Sequence, residues 1–180
     1  MRIISGNLKG KKIFSPSDQV VRPTSDRARE MIFNILSSIF KKDNISFSNL
    51  NVLDCFCGTG ALGLESYSRG AKKVIFVDKS KKSLDLTQRN ITKLQVNNFE
   101  IEKVDLTKHF ERNANIDLFF FDPPYMKNIL NISLKNLIES TWLKDNSYGV
   151  VESNLSNNFS LPIGWQILKE RTIRKSIFFF

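Results

Sequence analysis

Cysteine is almost missing from this sequence. Its 180 residues include two, Cys55 and Cys57, with one residue between them. A pair so close encloses no useful loop, which excludes a disulfide scaffold and suits a reducing compartment. Histidine is rarer still. His109 stands alone, and together with a C-x-C it does not complete a zinc site of the usual spacing; no metal is expected. Long apolar runs are missing too. None approaches the roughly 18 residues that a membrane-spanning helix requires. The opening Met1-Arg2-Ile3-Ile4-Ser5-Gly6 carries no apolar stretch of signal-peptide length. The expectation is a cytoplasmic protein with no membrane contact. Acids are outnumbered: 18 Asp and Glu face 27 Lys and Arg, a net charge of +9.

What is present is globular. Apolar residues make up 41 % of the chain and charged residues 25 %, a balance that argues against a disordered or fibrous chain. A chain of this length buries about 70 % of its unfolded surface, enough for one domain with a real core, and its size suits a monomer. The positive charge is concentrated at the front. Residues 1–43 hold nine Lys and Arg against four acids, more than half of the net excess. A basic front end suits a polyanion such as RNA or DNA; a plain solubility bias is the competing reading.

The apolar spacing predicts the elements. Ile3, Ile4, Leu8, Ile13 and Phe14, around Gly6-Asn7 and Gly10, predict an irregular β-hairpin over 2–14. Pro23 with Thr24 or Ser25 predicts a helix start, and Met31, Ile32, Ile35, Leu36 and Ile39 give its apolar stripe, ending at Asp43-Asn44. From Leu50 strands and helices alternate. Strands are expected at 52–53, 74–77, 99–104, 116–121 and 148–151, helices from Gly63 to about Ser68, over 81–96 and over 130–141. Residues 165–172 and 173–180 are expected to form a closing antiparallel pair. This alternation predicts an α/β fold with a mostly parallel sheet. Ligands of such sheets bind beyond the carboxyl ends of the strands. Four of the expected strands end in an acid there: Asp54, Asp78, Asp105 and Asp122.

Gly58-Thr59-Gly60-Ala61-Leu62-Gly63 fits G-x-G-x-x-G between a strand and a helix. Two ligands compete for such a loop. In a nicotinamide enzyme the glycines admit a pyrophosphate to the helix N-terminus. In an S-adenosylmethionine enzyme the loop lies by the methionyl and ribose parts, with no phosphate. Asp54, four residues ahead of Gly58, would repel a pyrophosphate and suits an amino group. Asp78 can accept from two ribose hydroxyls under either reading. Further on, Asp122-Pro123-Pro124-Tyr125 offers what an exocyclic base amine needs. That amine is a poor nucleophile because its lone pair is delocalised into the ring. The Asp122 carboxylate and the Pro123 carbonyl can accept its hydrogens, the prolines stiffen the turn, and Tyr125 can stack on the base.

Asp54-Cys55-Phe56-Cys57-Gly58-Thr59-Gly60 resembles motif I of the class I S-adenosylmethionine-dependent methyltransferases, and Asp122-Pro123-Pro124-Tyr125 resembles motif IV of the amino-methyltransferases. Arg2-Ile3-Ile4-Ser5-Gly6, Lys9-Gly10-Lys11-Lys12, Arg22-Pro23-Thr24-Ser25-Asp26-Arg27-Ala28-Arg29-Glu30 and Gly60-Ala61-Leu62-Gly63-Leu64-Glu65 closely resemble the RsmD family, bacterial guanine-N2 methyltransferases of 16S rRNA. The resemblance covers residues 2 to about 125. It implies a Rossmann-like fold with a seven-stranded sheet, a basic RNA-binding extension over 1–43 and a methyltransferase core over 44–180. It implies S-adenosylmethionine held by Asp54, Phe56, Gly58, Thr59, Gly60, Asp78 and Asp105. It further implies a guanine held by Asp122, Pro123, Pro124 and Tyr125, and small-subunit RNA gripped by Arg2, Lys9, Lys11, Lys12, Arg22, Arg27 and Arg29. Adenine-N6 or cytosine-N4 transfer, nicotinamide-dependent oxidoreduction and a non-catalytic assembly role stay open at this point.

Overall fold

A computed structural model describes residues 1–15, 25–109, 113–124, 128–155 and 159–180. Its elements are α1 (Asp26–Lys42), β1 (Asn51–Cys55), α2 (Ala61–Ser68), β2 (Lys73–Asp78), α3 (Lys81–Leu94), β3 (Phe99–Lys103), β4 (Ile116–Phe121), α4 (Ile129–Glu139), β5 (Leu143–Asn154), β6 (Glu170–Ile173) and β7 (Ser176–Phe179). The strands form one sheet in the order β3-β2-β1-β4-β5-β7-β6. β1 pairs in parallel with β2 and β4, β2 with β3, and β4 with β5. β7 runs antiparallel to both β5 and β6. The strand order reverses between β1 and β4, so the crevice beyond their carboxyl ends is the ligand-binding position of an open α/β sheet.

The sequence builds both faces of this sheet. The unbroken apolar run of β4 sends Leu118 and Phe120 into one core and Phe119 and Phe121 into the other, as a central strand covered on both sides requires. The first core is closed by α1, α2, α3 and the N-terminal arm; the second by α4, Leu106 and Trp142. Ser25 caps α1 by accepting from the Ala28 N–H at 3.2 Å. Among the described residues no helix is long and apolar enough to cross a membrane.

The N-terminal arm forms as expected, and three strand boundaries are corrected. The irregular hairpin over 2–14 forms: beside the antiparallel bridge of Arg2 with Lys12, the Ile3 N–H donates to the Lys11 carbonyl at 3.0 Å, the Gly10 N–H to the Ile3 carbonyl at 2.9 Å and the Ile13 N–H to the Met1 carbonyl at 3.1 Å. Other backbone donors of the arm are spent on α2. Ile4 and Ser5 N–H groups donate to the Glu65 carboxylate at 2.8 and 3.0 Å, and the Asn7 N–H donates to the Ser68 carbonyl at 2.7 Å. Gly6 makes this approach possible: its φ is +80°, and a Cβ there would collide with the Ser68 carbonyl. β1 continues one residue past Asp54, to Cys55. β5 starts at Leu143, five residues ahead of the expected Tyr148. Of the long closing pair only residues 170–173 and 176–179 form strands, while Leu168 and Lys169 bond the Phe180 backbone outside them.

Candidate active site

Cys55 of β1 sits in register with Phe121 of β4. The glycine loop that follows β1 and the Asp122-Pro123-Pro124 turn that follows β4 therefore leave the sheet side by side. Asp78 ends β2, and Asp105 follows β3 by two residues. The sheet thus brings all four predicted acids to one edge.

The loop is held from three sides. Phe56 (φ +54°) and Gly60 (φ +75°) turn it back on itself, and the Gly60 N–H donates to the Cys57 carbonyl at 2.7 Å. A left-handed Phe is costly and persists only where its surroundings hold it; here its ring packs edge-on to Phe121 with 5.2 Å between centroids. The Gly58 N–H donates to Asp78 Oδ2 at 3.2 Å, while Asp78 Oδ1 accepts from the Ser80 N–H at 2.8 Å. The Thr87 hydroxyl donates to the Gly58 carbonyl at 3.0 Å, and buried Asn90 donates to the Thr59 carbonyl at 2.9 Å. Gly63 lets the first turn of α2 lie against β2, since a Cβ there would run into the Phe76 ring and come within 2.8 Å of Val74.

Asp54 plays a different part from the one expected. Inside β1 it is flanked by Phe76 and Phe120 on the neighbouring strands and is 2 % exposed. Its Oδ2 accepts the Gly63 N–H at 2.8 Å. It anchors α2 to β1 and does not offer an open carboxylate to a ligand. Burial pushes its pKa up to about 8; the Gly63 N–H opposes the shift and the charge of Asp78 adds to it. Its charge therefore does little to repel a pyrophosphate at neutral pH. The raised value has a sign. Between the ordinary value of 3.8 and about 8 the folded chain holds a proton that the unfolded chain has released, so stability falls as pH rises through that window. Asp54→Asn, which keeps an acceptor for Gly63, is expected to flatten this dependence and to melt above the wild type at pH 8. Thermal unfolding from pH 5 to 9 checks it; parallel curves would refute the placement of that proton.

Asp105 accepts from both the hydroxyl and the N–H of Thr107, at 2.7 and 3.1 Å, and these bonds hold its carboxyl below the usual range. It closes its own turn. Asp122 is half-buried, Pro123 buried and Pro124 exposed; Tyr125 lies outside the described residues. A cavity of about 460 Å³ elsewhere, lined by Phe119, Leu134, Ile138, Tyr148 and Trp165, takes in neither the glycine loop nor residues 122–124. Among the described residues no group of three or more His, Cys, Asp or Glu is placed to hold a metal.

The predicted RNA contacts divide. Arg2, Lys9, Lys11, Lys12 and Arg27 are exposed, with Arg2 3.7 Å from Asp26. Arg22 lies outside the described residues. Arg29 is a correction: it is fully buried, donates from Nη2 to the Arg2 carbonyl at 2.8 Å and to Asp26 at 2.7 Å, and lies 3.9 Å from Glu65. It fixes the arm to α1 and α2 and is not available to a phosphate. The sequence held the signal, because Arg29, Ile32, Phe33, Leu36 and Phe40 fall on one helical stripe. Thr87, Asn90 and Glu65 were missed. Each is a polar residue at a core position of a helix, legible only once the packing is known.

Seven strands in this order, a glycine loop after the first and an acid-Pro-Pro turn after the fourth define a Rossmann-like class I methyltransferase fold. Comparison with known proteins agrees. A solved Escherichia coli chain, assigned provisionally as a methyltransferase, superposes with a TM-score of 0.85 at 28 % identity, covering 99 % of this chain and 95 % of that one. The profile of the family described as conserved hypothetical protein 95 matches residues 1–180. The ribosomal RNA small subunit methyltransferase D of Buchnera aphidicola is 34 % identical over 94 % of this chain and 86 % of its own length. That of Haemophilus influenzae is 32 % identical over 96 % and 88 %. The chain belongs to this family, the RsmD family.

Proposed function

We propose that this protein transfers one methyl group from S-adenosylmethionine to the exocyclic N2 of a guanine in 16S rRNA, on the small ribosomal subunit. The observation that carries the reading is the juxtaposition of the glycine loop with Asp122-Pro123-Pro124 at the switch point of the sheet. Relatives that bear the name of a small-subunit rRNA methyltransferase support the choice of RNA.

The donor set suits the cofactor. Asp78 stands half-buried at a strand end, each oxygen accepting one backbone N–H, and a carboxylate oxygen has a second lone pair for a ribose hydroxyl. Asp105 would accept from the adenine amine. The loop from Phe56 through Gly58, Thr59 and Gly60 would lie against the methionyl part. Bound there, S-adenosylmethionine would supply an activated methyl on its sulfonium. The Asp122 carboxylate and the Pro123 carbonyl would accept the two N2 hydrogens of the guanine, favouring a more tetrahedral nitrogen, and Tyr125 would stack on the base. What remains is alignment in a preorganised polar site. Nicotinamide chemistry would require the same loop to face a pyrophosphate.

Calorimetry separates the two cofactors. S-adenosylmethionine is expected to bind and NAD is not. Asp78→Ala is expected to weaken that binding by about 1.5–3 kcal/mol, the worth of charged hydrogen bonds; an unchanged affinity would show the cofactor to be elsewhere. The exposed lysines of the arm give a second test. Phosphate contacts position an RNA without reading its sequence. Replacing Lys9, Lys11 and Lys12 by Ala is expected to lower the magnitude of the slope of log K against log salt by about 2–3 units for three contacts. Equal slopes for binding to unmethylated small subunits would reduce these lysines to a solubility role.

A further inference from the structure

One basic cluster lies outside every residue assigned so far. Arg89 Cζ and Lys93 Nζ lie 4.7 and 4.2 Å from the centroid of the same ring, that of Phe14. The two charges are therefore no further apart than the sum of those distances. Both side chains are exposed, one turn apart on α3. Two turns earlier the same helix neutralises Lys81 with Asp85 at 2.8 Å. Arg89 and Lys93 have no carboxylate partner among the described residues. Like charges at this spacing disfavour the free helix, and the ring face offsets only part of that repulsion.

The cluster is also fixed in place. Asn90, fully buried, accepts the Phe14 N–H at 2.7 Å and donates to the Phe14 carbonyl at 3.1 Å and to the Thr59 carbonyl at 2.9 Å. One side chain thus pins Phe14 to the glycine loop, while the residue remains 39 % exposed. A fixed aromatic carrying two unneutralised cations beside the cofactor loop matches an anionic strand.

We infer that Arg89 and Lys93 of α3, ordered by Phe14 at the end of the arm, form a phosphate-binding contact for the substrate RNA distinct from Lys9, Lys11 and Lys12. The inference rests on the rRNA reading above. The ring orders the two cations, and the cations neutralise backbone phosphates near the entrance to the cofactor loop.

The test compares wild type, the double variant Arg89→Gln/Lys93→Gln, which keeps side-chain stems over the ring, and Phe14→Leu. Binding to unmethylated small subunits is measured at several salt concentrations. The double variant is expected to bind more weakly, with a salt slope smaller in magnitude by about 1.4–1.8 units for two contacts. Phe14→Leu is expected to lose affinity several-fold and keep the slope, because both charges remain. S-adenosylmethionine affinity and melting temperature should not move. A double variant with wild-type slope and affinity overturns the inference. Failure of the wild type itself to bind small subunits would instead defeat the rRNA reading, so the two failures are told apart.

Discussion

Asp122→Ala is expected to lower methyl transfer to small subunits at least about 100-fold, with S-adenosylmethionine affinity nearly unchanged. The magnitude is that of losing one preorganised electrostatic partner of the reacting group. The split between rate and affinity follows from position. Asp122 follows β4, in register with the end of β1, whereas the groups that hold the glycine loop, Asp78, Thr87 and Asn90, belong to β2 and α3. Single-turnover kinetics beside calorimetry give both quantities. Wild-type turnover in this variant would remove Asp122 from the chemistry.

The second large effect concerns stability. Glu65 is fully buried and is the hub of the N-terminal arm. It accepts from the N–H groups of Ile4 and Ser5 and from Arg69 Nε at 3.0 Å, with Arg29 at 3.9 Å. Glu65→Ala takes from the buried Arg29 one of its two carboxylates, leaving only Asp26, and leaves two backbone donors without an acceptor. Breaking a buried pair from one side costs about 3–5 kcal/mol. For a domain of this size that is a fall in melting temperature on the order of 10 °C. The loss should be local first: hydrogen exchange should speed up at residues 4–8 before it does so in β1 or β4. Glu65→Gln, which keeps one acceptor oxygen, should lie between the two. A melting temperature within 1–2 °C of wild type, roughly the effect of less than 1 kcal/mol, would show that the arm is held by other contacts.

The sheet and its binding edge were legible in the sequence because local signals agreed there. The apolar run of 116–121 announced a central strand, and Asp78 and Asp122 stand where the strand ends predicted. The parts that were not legible share one cause: polar groups whose partners lie far along the chain. Arg29 looked like one more front-end cation, yet besides nearby Asp26 it reaches the Arg2 carbonyl and Glu65, far along the chain, and only the stripe shared with Ile32, Phe33 and Leu36 hinted at burial. Asp54 looked like a strand-end ligand, but β1 runs one residue longer and encloses it between β2 and β4. The arm pairs with itself as expected, but its attachment to α2 through Glu65 and Ser68 was not foreseen. No composition or periodicity signal marks such a clasp.

The most direct measurement of the central claim is transfer of labelled methyl from S-adenosylmethionine to small subunits that lack the modification, followed by nucleoside analysis of the 16S rRNA. Label is expected in N2-methylguanosine, at one position, and is lost in Asp122→Ala. Label in N6-methyladenosine or N4-methylcytidine, or no transfer by an enzyme that binds the cofactor and the subunit, would contradict it.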